Sequence, residues 1–253
     1  MSRDGAIALY DSGRGVESVL SACRSVLPNE KWLILQDKLN QPYGTKCDQT
    51  IINAGFSCFS HLMKQKIKAV VVACHTSSAI ALPNLRKHFA LPIVGMLRPT
   101  ARLLADQYTH DRIVWLATPA SIHADRLEPL ARQLGFSGEF HPIVCSEWAA
   151  CIERGRVRDH KRLVKSFIDN HRSLLAHDRV KILYGCTHYP LLDTTMRSML
   201  VDIETINPAQ AVAIELHDAL LQRHMLSSEI QPSVSFLRNI GFPMRPRLVT
   251  TLG

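Results

Sequence analysis

The sequence predicts an α/β fold in which short parallel strands alternate with helices and the chain forms two related halves. Three observations support this prediction. Short apolar, β-branched runs recur along the chain, segments with a helical spacing of apolar residues lie between them, and a Cys-x-Thr motif follows a predicted strand in each half. At 253 residues and 46% hydrophobic content, the chain can bury a large core.

The predicted strands are the short apolar runs at residues 6–10, 32–36, 69–73, 113–117 and 180–184. After the first run, apolar side chains recur at helical spacing from Val16 to Leu27, which predicts a helix that ends near Pro28. Pro92 and Pro99 enclose a short extended piece, and we expect the chain to cross between its halves there, near Arg98.

Cysteine usage and hydropathy favour a cytoplasmic protein. The seven cysteines are odd in number, spread along the chain and without a CxxC spacing, which is typical of reduced thiols. No run of eighteen apolar residues is present, and the first ten residues lack the pattern of a signal peptide. We therefore expect neither membrane insertion nor secretion.

The net charge of +8 and the isoelectric point near 9.3 raise the question of nucleic-acid binding. The densest basic stretch, residues 154–165, also contains Asp159 and resembles a loop that leads onto a solvated helix face. Dedicated nucleic-acid binding is therefore not predicted. A positive field would instead attract a small anionic substrate such as a dicarboxylate.

Polar motifs follow three of the predicted strands, where open α/β sheets place their ligand-binding groups. Asp11-Ser12-Gly13 follows the first strand, Cys74-His75-Thr76 follows the third, and Cys186-Thr187-His188 follows the strand at 180–184. The two cysteines are 112 residues apart, about the size of one small domain. The spacing predicts that each half contributes one thiol to a cleft between the halves.

Two facing thiols suit the inversion of a stereocentre, which requires a base on one face of a carbon and an acid on the other. A cysteine pKa near 8.5 is expected to fall at a helix N-terminus, so that a thiolate can exist at neutral pH. Asp11 and Ser12 are predicted to orient Cys74, and His188 is predicted to orient Cys186.

Two other interpretations of the cysteines stay open at this point. A cysteine at the end of a buried strand is more often a packing residue than a catalytic one. Cys74-His75 and Cys186-Thr187-His188 also contain zinc-ligand residue types, but their spacing matches no standard zinc pattern and adjacent Cys-His is a poor chelate. We therefore predict no metal site.

Taken together and in order, several motifs make residues 7 to about 213 similar to the glutamate racemases. These motifs are Asp11-Ser12-Gly13, Gln41-Pro42-Tyr43-Gly44, Ala73-Cys74-His75-Thr76-Ser77-Ser78-Ala79, Leu116-Ala117-Thr118, Glu153, Gly185-Cys186-Thr187-His188-Tyr189-Pro190-Leu191-Leu192 and Asn207-Pro208-Ala209. The related aspartate racemases usually have Glu at the position of His188, so the glutamate type fits better.

The resemblance implies interconversion of L- and D-glutamate for peptidoglycan synthesis without pyridoxal phosphate or another cofactor. It implies two similar three-layer αβα domains with mostly parallel sheets and an active-site cleft between them, and a homodimer. We expect residues 1–97 plus 208–253 to form the domain of Cys74, and residues 98–207 that of Cys186. The tail at 236–253 is expected to pack on the first domain.

The resemblance also implies the site residues. Cys74 and Cys186 would be proton donor and acceptor, and the other catalytic positions would be Asp11, His188 and Glu153. Glu153 has a second interpretation, as an exposed charge at a helix end. The substrate-binding positions would be Asp11, Ser12, Pro42, Tyr43, Gly44, His75, Thr76, Thr118, Ser121, Thr187 and His188.

Three positions depart from the family pattern. Val16 replaces the second of two adjacent glycines, which predicts a loop less able to approach the ligand. His75 replaces an asparagine, and Ser121 replaces a threonine. These departures leave two alternatives to a glutamate racemase: a racemase of another amino acid such as aspartate, or a weakly active glutamate-binding regulatory paralogue.

Overall fold

Short parallel strands form two sheets, and helices cover both. The computed structural model describes residues 3–155, 157–228 and 232–237. The strands are β1 (Ala6–Asp11), β2 (Lys31–Gln36), β3 (Ile67–Val72), β4 (Ile93–Gly95), β5 (Arg112–Ala117), β6 (Glu139–Val144), β7 (Val180–Gly185), β8 (Glu204–Ile206) and β9 (Ser233–Leu237).

The helices are mostly short, and several follow one another with few residues between them. They are α1 (Val16–Val26), α2 (Asp48–Leu62), α3 (His75–Ile80), α4 (Leu82–His88), α5 (Leu97–Gln107), α6 (Pro119–His123), α7 (Leu127–Gln133), α8 (Trp148–Glu153), α9 (Val157–Asn170), α10 (Arg172–Leu175), α11 (Asp193–Met199) and α12 (Ala209–Leu221). Tyr43–Thr45 and Tyr189–Leu192 form 3-10 turns. No helix among the described residues is long and apolar enough to cross a membrane.

The first sheet has the strand order β4-β3-β1-β2-β9, and the second has the order β6-β5-β7-β8. Every ladder between the described strands is parallel. In the first sheet β1 and β3 are neighbours, and in the second β5 and β7 are neighbours. The segments that follow these paired strands therefore emerge side by side at one edge of each sheet.

Helices pack on both faces of each sheet, which gives two three-layer αβα lobes. In the first lobe, alternate residues of β1 face opposite layers: Ile7 and Leu9 pack with α1 and α12, while Ala8 and Tyr10 pack with α2, α3 and α4. In the second lobe, Val114 and Leu116 pack with α8, α9 and α11, and the opposite face packs with α5 and α7. The α/β prediction with parallel strands is confirmed.

The five predicted strands are all present, each within two residues of its predicted start, and α1 ends at Val26, just before Pro28. The short extended piece predicted before Pro99 contains β4. The sequence did not predict β6, β8 or β9. The strands β6 and β9 are largely exposed and therefore lack a continuous apolar run, and β8 has only three residues.

The two lobes are joined through α5, and Arg98 lies inside that helix. The first sheet takes its strands from residues 6–95 and 233–237, and α12 packs on it. The second sheet takes its strands from residues 112–206. On this basis we propose domains 1–97 plus 208–253 and 98–207. The described part of the predicted tail contact is β9, which pairs with β2; residues 238–253 lie outside the described residues.

Candidate active site

The two sheets direct their carboxyl ends at a common cavity. Cys74 follows β3, and Cys186 follows β7 of the other sheet. The cavity has a volume of about 230 Å³. Its lining consists of Ser12, Gln41, Pro42, Tyr43, Gly44, Cys74, His75, Thr76, Thr118, Ala149, Ala150, Glu153, Cys186, Thr187 and His188.

Nearly all the predicted site residues line this cavity. The exceptions are Asp11 and Ser121, which lie directly behind lining residues and bond to them. The structure adds Gln41, Ala149 and Ala150, which were not predicted as site residues. Gln41 could have been found from its place beside Pro42-Tyr43-Gly44. The two alanines of α8 carry no chemical signal in a sequence.

Cys74 is a buried thiol, and the hydroxyl of Ser12 lies 3.6 Å from its sulfur. Burial and then the Asp11 charge raise the pKa of Cys74 to about 12, although a backbone N–H from Ser77 acts in the opposite direction. The expectation that the start of a helix would lower this pKa is therefore wrong for Cys74. Removal of a thiolate from water raises the pKa more than the backbone N–H at the helix start lowers it.

Asp11 connects the two lobes behind the cavity. Its Oδ2 accepts a hydrogen bond from Thr187 Oγ1 at 2.9 Å, and its Oδ1 accepts one from the backbone N–H of Gly13 at 2.9 Å. Burial raises the pKa of Asp11, while the nearby charge of His188 lowers it. The carboxylate therefore fixes Thr187 of the second lobe relative to the loop that follows β1.

Cys186 lies next to a hydrogen-bonded chain of polar side chains. Its sulfur is 3.6 Å from His188 Nδ1, and His188 Nε2 donates to Glu153 Oε1 at 2.6 Å. The same Glu153 oxygen accepts the backbone N–H of Arg14 at 2.7 Å. Glu153 ends α8 and is partly buried, so its carboxylate is bonded within the site rather than being a free charge at a helix end.

The charges along this chain stabilise one another. Burial alone would lower the pKa of His188, but its hydrogen bonds to Cys186 and Glu153 outweigh burial and raise the pKa to about 11. Burial would raise the pKa of Glu153, yet the hydrogen bonds from His188 and Arg14 lower it. His188 is thus an imidazolium at neutral pH, and its positive charge lies beside the sulfur of Cys186.

The segment after Cys186 differs from the predicted helix start. Cys186 is followed by the 3-10 turn Tyr189–Leu192, and α11 begins only at Asp193. The two Cys-x-Thr motifs therefore have different local structures. The polar environment of Cys186 comes from His188 and Glu153 rather than from an α-helix that begins at the cysteine.

Three hydroxyl groups close the cavity where the lobes meet. Thr76 Oγ1 lies 3.0 Å from Thr118 Oγ1 and 3.1 Å from Ser121 Oγ, and the latter two hydroxyls are 2.9 Å apart. Thr118 also caps α6 by accepting the backbone N–H of Ser121. Ser121 thus replaces the family's threonine without losing the hydroxyl.

The Pro42-Tyr43-Gly44 segment lines the cavity, but the Tyr43 hydroxyl is committed elsewhere. It donates to Asp37 Oδ2 at 2.6 Å and lies 2.8 Å from the hydroxyl of Tyr10. A side chain at Gly44 would come within 2.7 Å of Thr118 Cβ. The absence of a Cβ at residue 44 therefore allows the lobes to approach each other here.

The loop after β1 also approaches the second lobe closely. A Cβ at Gly13 or Gly15 would collide with Glu153 or Thr187, respectively. Val16 starts α1, and its side chain is buried in the hydrophobic core of the first lobe rather than in the cavity lining. Its replacement of a glycine therefore changes core packing and adds no side chain to the cavity.

His75 is buried in the cavity lining. Burial lowers the pKa of His75 to about 3, so the ring is neutral at physiological pH. Neither ring nitrogen has a hydrogen-bond partner among the described residues. Within the same part of the chain, no group of three or more His, Cys, Asp or Glu side chains is arranged to hold a metal ion.

The chain is similar in sequence to proteins of one known family. Its sequence matches the Asp/Glu/hydantoin racemase family over residues 15–216. It is similar to the glutamate racemase of Carboxydothermus hydrogenoformans, with 30% identity over 220 residues that cover 87% of this chain and 82% of the relative.

Two solved structures resemble the fold along most of its length. One is a glutamate racemase isoform from Bacillus anthracis, with a TM-score of 0.84 and 28% identity, covering 92% of this chain and 88% of that one. The other is the glutamate racemase from Francisella tularensis in complex with D-glutamate, with a TM-score of 0.81, 25% identity and the same two coverages.

Proposed function

The chain belongs to the Asp/Glu/hydantoin racemase family, and from that membership we propose that it is a glutamate racemase that moves the α-proton between two thiols. One observation carries the proposal: Cys74 and Cys186 follow strands of different sheets and line the same cavity. The relatives named as glutamate racemases support glutamate as the substrate.

The reaction needs no atoms beyond those of the substrate and the two thiols. One sulfur, as thiolate, takes the α-proton, and the electron pair of the C–H bond moves into the α-carboxylate. The other sulfur, as thiol, gives its proton to the α-carbon from the opposite face and becomes the thiolate. The carbon is inverted, and the two sulfurs have exchanged protonation states.

The surroundings of the sulfurs assign the resting roles. Burial holds Cys74 as a thiol because it raises the pKa to about 12. Inversion then needs a base on the other side of the carbon, and the other cavity sulfur is that of Cys186, which lies beside the imidazolium of His188. We therefore assign Cys186 as the first base and Cys74 as the first acid, with His188 and Glu153 as positioning residues for Cys186.

The cavity suits a substrate with two carboxylates held mainly by neutral donors. Among the described residues that line it, none is Lys or Arg. The hydroxyl-bearing residues Ser12, Thr76, Thr118 and Thr187 also line it, and hydroxyl groups bind carboxylates with little bulk. The net charge of +8 would raise the local concentration of a dicarboxylate.

Proton NMR of glutamate in deuterium oxide tests the proposal directly. Purified protein without added cofactor should make the α-hydrogen signal of either enantiomer disappear while the optical rotation decays to zero. Binding of glutamate without exchange would instead indicate a regulatory paralogue. A clear preference for aspartate or another amino acid in the same assay would reject glutamate as the substrate.

Serine variants test the roles of the two thiols. Cys74→Ser and Cys186→Ser should each lower racemisation by at least about 10³-fold, because a serine hydroxyl is a far weaker acid than a thiol. Cys47→Ser is the matched control, since Cys47 is exposed and outside the cavity. Full activity in either cavity variant would reject the two-thiol assignment.

The wider biological setting is also part of the proposal. We propose a cytoplasmic homodimer whose D-glutamate supplies peptidoglycan synthesis. The seven free cysteines support a reducing compartment. Growth of a D-glutamate-requiring bacterium that expresses this chain tests the physiological role, and sedimentation equilibrium tests the dimer.

A further inference from the structure

His75 has hydrogen-bonding capacity that the described part of the chain leaves unused. Its side chain is only 2% exposed and lines the cavity, yet both ring nitrogens lack a partner among the described residues. Buried polar side-chain atoms are nearly always hydrogen-bonded in folded proteins. An unpartnered ring in the cavity lining is therefore available to a group that arrives with the substrate.

We propose that His75 is a catalytic residue: its neutral ring donates an N–H to the substrate α-carboxylate, on which negative charge accumulates when the α-proton leaves. This inference rests on the proposed glutamate racemase function. It adds to that function a hydrogen-bond donor that stabilises the negative charge on the substrate. The histidine stands where the family pattern has an asparagine, so the donor in this chain is an imidazole N–H rather than an amide N–H.

The position of His75 favours the α-carboxylate over the distal carboxylate. The preceding residue is Cys74, whose sulfur must reach the α-carbon, and consecutive Cα atoms lie about 3.8 Å apart. The α-carboxylate is bonded to that carbon, whereas the distal group is several bonds away. The hydroxyls of Thr76 and Thr118 already bond to each other, whereas the ring of His75 makes no hydrogen bond to the residues that the structure describes.

The protonation state of His75 suits this role. Burial lowers its pKa to about 3, so at neutral pH the ring carries one N–H donor and one bare nitrogen. A neutral imidazole can polarise a carboxylate without transferring its proton, as the neutral histidine of triosephosphate isomerase does with a carbonyl. His75 keeps its proton throughout. The C–H electron pair moves into the carboxylate and returns to carbon when the second thiol delivers its proton.

The test compares His75→Phe with His75→Gln, using wild-type protein and His123→Phe as references. His123 is exposed and lies outside the cavity. We expect His75→Phe to lower kcat by about 10²-fold while KM stays within about threefold, as expected for loss of a donor that acts in the transition state. The kinetic isotope effect with α-deuterated glutamate should rise, because proton removal becomes slower relative to the other steps. His75→Gln retains an N–H, so its kcat should be at least about tenfold higher than that of His75→Phe.

A second variant covers the case in which phenylalanine does not fit. His75→Ala removes the ring without adding bulk, and added imidazole should then restore part of its turnover. Near-wild-type kcat in His75→Phe, or in His75→Ala if phenylalanine prevents folding, would overturn the assignment. A raised KM with unchanged kcat would do the same, because it would mean that His75 only binds substrate.

Wild-type protein that does not exchange the α-hydrogen of glutamate would overturn both this inference and the proposed function. An active wild type with an unimpaired variant would overturn only the role of His75.

Discussion

The two cavity sulfurs have different polar neighbours although they follow the same Cys-x-Thr plan. Cys74 has a neutral hydroxyl beside it, while Cys186 has an imidazolium that is bonded to a carboxylate. A racemase must run in both directions, so each sulfur must serve as acid and as base. The unequal surroundings mean that the two sulfurs are not equivalent in the resting protein.

The pairing of Glu153 with His188 predicts a pH-dependent effect of Glu153→Gln. The carboxylate is one of the partners that raise the pKa of His188 to about 11, so its removal lowers that pKa. A histidine is charged below its pKa, and the variant therefore loses the imidazolium at a lower pH than the wild type. We expect kcat/KM to fall by about tenfold more at pH 9 than at pH 7.

The pH profile of kcat/KM is the measurement, and Glu147→Gln is the matched control. Glu147 immediately precedes α8, which Glu153 ends, but it is exposed and does not line the cavity. An equal loss at every pH in Glu153→Gln would show that the carboxylate acts through its bond to the backbone of Arg14 and not through the charge of His188.

His75 predicts a pH-dependent stability of the protein without substrate. The pKa of its ring falls from 6.5 to about 3 on folding. Below pH 6.5 the unfolded chain binds a proton that the folded protein does not, so stability falls as the pH falls through this window. Between pH 6 and pH 5 the wild type should lose about 1 kcal/mol more unfolding free energy than His75→Gln.

Urea unfolding of both proteins at the two pH values measures this difference. Other titrating groups are common to wild type and variant and cancel in the comparison. His123→Gln is the control, because it makes the same substitution at an exposed histidine outside the cavity lining. Parallel losses of stability in wild type and His75→Gln would show that the folded protein protonates this ring.

At the scale of secondary structure, strand β3 has distinct roles at its two ends. Its carboxyl end leads to Cys74, and near its amino end Lys68 forms a buried ion pair with Glu30 at 2.6 Å. Lys68 Nζ also donates to the carbonyls of Arg3 and Met225, which lie at opposite ends of the first lobe's sequence. The Lys68 ammonium therefore connects Glu30 with the backbone at Arg3 and Met225, at a distance from the cavity.

Lys68→Met should lower the free energy of unfolding by about 3–5 kcal/mol, because it leaves Glu30 buried without its cation. The double variant Lys68→Met/Glu30→Met should recover most of the loss. Chemical denaturation measures both, and Lys64→Met, at an exposed position just before β3, is the control. A single variant as stable as the wild type would mean that water reaches Glu30. Racemisation below the melting temperature should be unchanged, since the pair lies outside the cavity lining.

The elements that position the site were predictable because their chemistry is local. The buried strands β1, β3, β5 and β7 are continuous apolar runs, and polar motifs follow them directly in the sequence. The protonation of Cys74 was not predictable, because it depends on burial by distant segments. The two alanines of α8 in the cavity lining were missed for the same reason: only the tertiary fold brings them there.

At the scale of the whole molecule, the predicted site residues themselves hold the lobes together. Asp11 bonds Thr187, the backbone of Arg14 bonds Glu153, and Thr76 bonds Thr118 across the cavity. Both cavity cysteines are almost fully buried, so we expect a substrate to separate these contacts as it enters. Substrate groups would then replace bonds that the lobes make with each other, which couples binding to closure.

The hydrophobic core predicts that the two lobes unfold together. One cluster of buried side chains contains Tyr10 and Leu35 of the first sheet together with Trp115 and Leu183 of the second. Because the lobes share this core and α5 packs between them, loss of one lobe would expose apolar surface of the other.

Pulsed hydrogen–deuterium exchange along a urea series measures whether the two lobes unfold together. Peptides from β1 and from β5 should become labelled at the same urea concentration, whereas exposed β6 reports local opening. Labelling of β5 at clearly lower urea than β1 would mean that the second lobe unfolds alone, and closure of the cleft would then join two independently stable bodies.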